Sequence, residues 1–207
     1  NEKIIALDDK ALAFASLDDA IVEDMAGATL MPGLTDAHIH LLWYAQGLPE
    51  INLRDCTRQG MLDLLAQKVE VTPEGKWVRG RGWDQEIWQN KHFPTAVELD
   101  QVSPDHPVVL IVKSGHAVVV NSAALRIAGI DADMINPAFG KIGRDAQGNP
   151  DGMLYENAMN LVLSRIPEST LAERIDLLDQ AQTHLLKFGI TGVLCVDGRP
   201  AFSTIQE

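Results

Sequence analysis

Apolar and polar positions follow two rhythms along this chain. Through residues 1–33, short apolar runs such as "KIIAL" are cut by the turn signals "LDD", "SLDD" and "AGA". That pattern predicts short antiparallel strands in a small β layer. From Leu34 onward, apolar runs of strand length alternate with longer stretches of helical spacing. "LTDAHIHLL" reads as a strand buried on both faces, and "TRQGMLDLLAQKVEV" as a helix capped by Thr57, with Met61, Leu64, Leu65 and Val69 on its apolar face. "KWVRGRGWD" is a second strand. "PTAVELDQV" is a short helix in which Thr95 and Glu98 have the spacing of a capping box.

The run Val108–Val112 is β-branched enough for an interior strand. "NSAALRIAGI" predicts a helix with Asn121 or Ser122 at its N-cap and Gly129 past its end. "GKIGRDAQGNPDGMLYE" predicts a hairpin around a Gln-Gly-Asn-Pro turn. The plainest helix is "STLAERIDLLDQAQTHLLKFG", opened by Thr170 with Glu173 and closed by Gly189, and "ITGVLCVD" follows as a buried strand. Strands alternating with helices argue for parallel βα units behind a small β domain. The expected fold is therefore α/β: a partial (β/α)8 TIM-type barrel over 34–207, preceded by part of a small β-sandwich over 1–33. A complete barrel takes roughly 250 residues, and the 207 residues hold about half of one behind the β layer.

Charge narrows the partners. A net charge of −12 disfavours nucleic acid and anionic membranes, which reward clustered Lys and Arg. A small neutral or cationic ligand suits it better. No apolar stretch approaches the roughly 20 residues of a bilayer span, and no secretory signal is visible, so the cytoplasm is the expected compartment. Cys56 and Cys195 stand far apart and outside any C-x-x-C pattern, which fits reduced thiols. The chain starts at Asn1 and runs straight into an apolar segment, and it reads as a portion of a longer protein.

The chemistry concentrates at "LMPGLTDAHIHLLWYAQG". On a strand, residues i and i+2 share a face, so Asp36, His38 and His40 project together and two imidazoles converge. Imidazole suits zinc and similar divalent ions. A catalytic zinc keeps about three protein ligands and one position for water, whose proton it makes easier to lose. Asp36 is placed to orient one histidine by a hydrogen bond. The same H-x-H also fits two histidines bonded at a sheet edge, but burying both without partners would be costly.

These residues resemble the first barrel strand of the amidohydrolase superfamily, whose signature Pro-Gly-x-x-Asp-x-His-x-His carries two metal ligands. "WVRGRGWDQEIW", "FPTAVELDQVSPDHPVVLIVKSGHAVVVNSAAL" and "GNPDGMLYENAM" are together similar to amidohydrolase family 3, in the branch that includes N-substituted formamide deformylases. The resemblance implies a distorted (β/α)8 barrel with a β-sandwich built from both chain ends, and hydrolysis of an amide-type C–N bond with one or two divalent metals. It also implies that the bridging lysine, the further histidine ligands and the general base lie on later barrel strands. Lys113 follows a strand in a segment unlike the family's lysine motif. An N-terminal portion of this kind would be inactive alone, and its open strand edges would favour association, including into homo-oligomers.

Other residues have candidate roles beside plainer ones. Trp83, Asp84 and Trp88 follow a strand at the end where barrel enzymes build their sites. The indoles would wall a pocket and Asp84 would hold a polar substrate group; equally, the indoles would fill core and Asp84 would cap a turn. His116, expected in the loop after the third strand, would polarise a carbonyl or stabilise an oxyanion, or simply bond a backbone carbonyl. Asn121 and Glu156 are candidate substrate contacts, against a helix cap for the first and a favourable dipole position for the second. Asp197 ends a strand, where a site residue or a turn former belongs. The reading is a metal-dependent hydrolase of a small-molecule amide-type substrate, with His38 and His40 on the ion and His116 and Asp84 as catalytic groups. The alternative is a non-catalytic metal-binding or assembly domain completed by another chain.

Overall fold

The computed structural model describes Ile4, Ala6 and residues 9–206. The strand expected at "KIIAL" lies largely outside the described residues. Asp9–Ala15 forms a helix, α1, and among the described residues no strand precedes Leu34. Residues 9–33 are exposed throughout, so the apolar runs expected to alternate in a β layer have no facing strand to pack on.

The remaining elements form two separate sheets. β1 (Leu34–Ile39) is followed by helix α2 (Leu41–Gly47), strand β2 (Ile51–Asn52), helix α3 (Arg58–Glu70) and strand β3 (Val78–Trp83). Then come α4 (Ala96–Asp100), β4 (Val108–Val112), β5 (Ala117–Val120), α5 (Ser122–Ala128), β6 (Gly140–Arg144) and β7 (Pro150–Glu156). The chain closes with α6 (Asn160–Leu163), α7 (Leu171–Leu186), β8 (Ile190–Cys195) and α8 (Arg199–Ile205). One sheet is the parallel pair β1–β8; the other has six strands in the order β2-β3-β4-β5-β7-β6.

This division corrects the expected run of parallel βα units. β3 and β4 do not continue from β1. They lie with β2 in the parallel half of the six-stranded sheet, which turns antiparallel from β4 to β5 and stays so through β7 and β6. β5 was not anticipated, because Val118–Val120 sits between a glycine turn and a helix cap and reads as one apolar loop. The strand that joins β1 in register is β8, with Leu34 opposite Ile190 and Ile39 opposite Cys195. Gly33 makes the start of this pairing possible: a Cβ there would overlap the Thr191 side chain.

Local signals were obeyed closely. Thr57 Oγ1 accepts from Gly60 N (3.0 Å), Asn121 Oδ1 from Ala124 N (3.0 Å) and Thr170 Oγ1 from Glu173 N (3.2 Å), each cap satisfying an orphan donor. Gly129 takes the left-handed conformation that closes α5.

The core sits on the six-stranded sheet. Met61 and Leu65 of α3 pack with Val78, Trp83, Leu110 and Val119 on one face, while Val109, Val118, Leu154 and Val162 fill the other with α5 and α6. The β1–β8 pair is thinner. β1 and β8 are largely exposed or half-buried, not buried on both faces as their apolar sequences suggested; among the described residues α7 packs on β8, and α2 and α8 pack on α7 in turn. Leu194 and Phe202 are correspondingly exposed. A groove of about 530 Å³, lined by Leu41, Ile175, Leu185, Val193 and Ile205 among others, runs beside α7.

Candidate metal centre

β1 delivers the histidine pair to its C-terminal end. His38 lies within the strand, whereas His40 is one residue past it, at the N-cap of α2 with φ −90° and ψ 80°. A register irregularity between Asp36 and Ile39 breaks strict alternation, and the two rings meet edge-on, 5.9 Å between centroids with planes at 77°. Both side chains are exposed, and the spacing leaves room for one ion between them. Two imidazole nitrogens form a donor set that divalent zinc accepts. Among the described residues no group of three or more His, Cys, Asp or Glu gathers as a metal cluster, so the two histidines by themselves would leave an ion short of ligands.

Asp36 does not orient either ring: its Oδ1 accepts from the backbone N–H of His38 (2.9 Å). The carboxylate beside His40 belongs to Asp197, just past β8. Its Oδ1 lies 2.9 Å from His40 Nδ1, its Oδ2 accepts from Leu42 N at 2.7 Å, and the Cys195 thiol lies 3.5 Å from Oδ2. Strand-end position was the one signal in the sequence for Asp197; its partner lies 157 residues earlier. On its other side the His40 ring meets Trp43 edge-on at 5.9 Å, and the Arg81 guanidinium stands 5.5 Å from the Trp43 ring. Arg81, on β3, shares the carboxylate of the nearly buried Glu50 with Arg79 (3.4 Å and 2.6 Å). This chain of contacts ties the histidine pair to the larger sheet.

The other candidates divide into two groups. Asp84, Lys113, His116 and Glu156 gather along one end of the six-stranded sheet, where β3, β4 and β7 finish and β5 begins. Lys113 Nζ lies 3.3 Å from Asp84 Oδ2, and Asp84 Oδ1 also caps the following turn at Glu86 N (3.1 Å). His116 Nδ1 lies 3.2 Å from the Glu156 carboxylate, and Glu156 N donates to the His116 carbonyl at 3.0 Å. His116 thus sits where expected, in the turn after Val108–Val112, but that turn leads into the antiparallel strand β5. Glu156 adopts φ 51° and ψ −127°. A non-glycine residue held there costs on the order of 1–3 kcal/mol, a burden found mostly at working sites.

Trp83, Trp88 and Asn121 are placed differently from the expected pocket wall. Trp83 is fully buried, its Nε1 donates to the Leu110 carbonyl (2.9 Å), and its ring stacks on Trp88 at 5.8 Å. Trp88 is nearly as buried and its Nε1 donates to the Cys56 carbonyl (3.0 Å). Asn121 is spent as well: Oδ1 accepts from Val108 N and Ala124 N, while Nδ2 donates to the carbonyls of Ser103 and His106. With apolar surface and polar atoms all engaged internally, these three residues hold the sheet together and present nothing to a ligand. None of the candidate residues lines the groove beside α7.

Burial pushes the Cys56 thiol above its ordinary value. Glu98 is pushed up by burial, but hydrogen bonds from Arg58 and Thr95 outweigh this and hold its carboxyl below the usual range. Neither group touches the histidine pair, so both shifts report structure.

Known proteins give this geometry a context. The chain is 37% identical over 190 residues to the N-substituted formamide deformylase of Arthrobacter pascens, covering 86% of this chain and 34% of that protein. It is 32% identical over 196 residues to the protein LONG AFTER FAR-RED 3 of Arabidopsis thaliana, covering 94% and 33% respectively. The chain therefore spans about a third of the length of the curated relatives it matches. The crystal structure of an uncharacterized metal-dependent hydrolase from Pyrococcus furiosus superposes with a TM-score of 0.63 at 25% identity, over 95% of this chain and 39% of that one. The sequence model of the amidohydrolase family matches residues 22–207, and with that span and those relatives the chain belongs to the amidohydrolase family.

Proposed function

We propose that this chain forms part of a metal-dependent amidohydrolase that cleaves a non-peptide C–N bond of amide or formamide type. The observation that carries the reading is the pair of exposed imidazoles at the end of β1, rings 5.9 Å apart, with one of them held by a carboxylate. His38 and His40 would hold a divalent ion, zinc being the best match to imidazole donors, as one ion or as half of a two-ion site. Such an ion supplies Lewis acidity toward a carbonyl and lowers the pKa of bound water. The deformylase relative motivates the bond type.

The chain's own residues would do the rest of the work on this side of the site. His116, mostly exposed and anchored through Nδ1 to Glu156, would use Nε2 toward the substrate: in the neutral ring, with the hydrogen on Nδ1, that nitrogen accepts a proton, and in the doubly protonated ring it offers one to a carbonyl oxygen as it gains charge. Asp84, steadied by Lys113, offers a carboxylate oxygen to an N–H or other polar group of the substrate. Glu156 sets the His116 ring and stands close enough to contact a ligand itself. In this scheme β1 and β8 are adjacent strands of a barrel, the six-stranded sheet is a module inserted between them, and residues 1–33 belong to a small β-sandwich. Two free cysteines suit a reducing cytoplasm, and among the described residues no helix is long and apolar enough to cross a membrane.

The test uses the full-length protein, its H38A/H40A variant, and a panel of N-substituted formamides and small amides followed by release of the acid. Hydrolysis together with near-stoichiometric zinc, both lost in the variant, is the expected result. Zinc without hydrolysis of any C–N substrate would favour the metal-binding or assembly domain instead. Unchanged metal content in the variant would remove the histidines from the site.

A further inference from the structure

The Asp197 carboxylate is used twice. Oδ1 faces His40 Nδ1 at 2.9 Å and Oδ2 accepts the Leu42 backbone N–H at 2.7 Å, while the side chain is only 12% exposed. The backbone on both sides is pinned: Val196 N donates to the Ile39 carbonyl (2.9 Å) and Tyr44 N to the His40 carbonyl (2.8 Å). An ionised carboxylate oxygen can only accept, so the hydrogen in the His40–Asp197 bond must sit on Nδ1. Neutral His40 then has its lone pair on Nε2, the nitrogen turned away from Asp197. His38 has no equivalent: among the described residues neither of its ring nitrogens makes a hydrogen bond, and its ring contact is the edge-on one with His40.

We infer that Asp197 is a positioning residue that fixes His40 as the Nδ1–H tautomer and thereby makes Nε2 its metal-binding atom before any ion arrives. Asp197 binds no metal itself. It acts through His40 and through α2, whose first turn it holds at Leu42, so the ring angle and the helix that follows it are set by one group. Partners of this kind are worth roughly 10–100-fold in metal affinity. Asparagine cannot replace it. Its amide has one acceptor oxygen, so it can take the His40 Nδ1–H or the Leu42 N–H, and its NH₂ faces whichever remains. The inference rests on the reading of His38 and His40 as metal ligands, and the test separates the two.

Two readouts on the full-length protein serve. The first is ¹⁵N NMR of the histidine rings without metal at alkaline pH, with His40 assigned from the signals lost in H40Q. The second is zinc affinity by chelator competition for wild type and D197N, with far-UV circular dichroism checking that D197N is folded. The expected result is a His40 ring held in the Nδ1–H tautomer, a His38 ring in the mixture ordinary for a solvated imidazole, and a 10–100-fold loss of zinc affinity in D197N. An Nε2–H tautomer of His40 in the wild type, or a folded D197N with unchanged zinc affinity, overturns the role of Asp197 and leaves the histidine pair standing. A wild type that shows the Nδ1–H tautomer but binds no zinc overturns the metal reading, and with it the consequence for affinity.

Discussion

In the six-stranded sheet, Trp83 and Asn121 are fully buried and the hydrogen-bonding atoms of both side chains are occupied within the fold. In the β1–β8 pair, His38 and His40 are exposed, the strands have one partner each among the described residues, and large apolar side chains such as Leu194 and Phe202 face outward. The first region has its chemistry turned inward and gains stability from it. The second leaves nitrogen lone pairs and strand edges available. The other exposed or half-buried polar candidates, Asp84, Lys113, His116 and the strained Glu156, gather where the large sheet ends. The contrast teaches that burial sorts these residues into structural and reactive sets more sharply than residue type does.

Substitutions can break this contrast from either side. The largest effect is expected from H38A/H40A, which should abolish tight zinc retention and also lower the unfolding free energy by about 1–3 kcal/mol, because Asp197 Oδ1, on a side chain 12% exposed, loses its His40 partner. Elemental analysis after gel filtration and urea unfolding would check both halves. Next comes W83A. Deleting a fully buried indole that bonds the Leu110 carbonyl should cost about 3–5 kcal/mol, seen as a lowered urea midpoint. G152A should cost about 1–3 kcal/mol from backbone strain alone. Gly152 has φ +99°, and a Cβ there would also meet the Val120 carbonyl at 2.5 Å and Ala96 N at 2.7 Å, which adds to the loss.

The smallest effect sharpens the comparison through pH. Arg58 holds Glu98 through Nε at 2.6 Å and Nη2 at 2.5 Å, and the net result is a carboxyl below its ordinary range. A depressed folded-state pKa contributes stability above the unfolded value, about 4.3 for glutamate, and loses it as pH falls through the folded value. E98Q should therefore flatten the decline of stability below about pH 4.3. It should lower stability at pH 7 by on the order of 1 kcal/mol, discounted because the pair is partly exposed. Unfolding curves at several pH values, for wild type and E98Q, would show it.

Much of the fold was legible because it is written locally. Thr57, Asn121 and Thr170 announce their helices within four residues, and the β6–β7 hairpin announces itself through its turn. Pairing between strands is not local. β3 and β4 alternate with helices as a barrel's strands do, and nothing in their sequence says that they join β2 while β1 waits for β8. The outward β1–β8 faces were misread for the same reason, since an apolar strand looks alike whether its cover is present or not. At the site, His38 and His40 were visible from their i, i+2 spacing, although a strand irregularity and a helix start set the rings more than alternation does. Trp83 and Trp88 follow a strand end as pocket residues do, and only burial reveals that they face inward. Asp197 could be placed at a strand end but not beside His40, because that contact joins residues 157 apart in the chain.

The central claim is that His38 and His40 bind one divalent ion through their ring nitrogens. Anomalous diffraction across the zinc absorption edge, from crystals of the full-length protein grown with zinc, tests it most directly. The account predicts an anomalous peak between the two rings, at bonding distance from Nε2 of His40. A zinc-replete crystal with no peak there, or with its peak on residues that exclude both histidines, would contradict it.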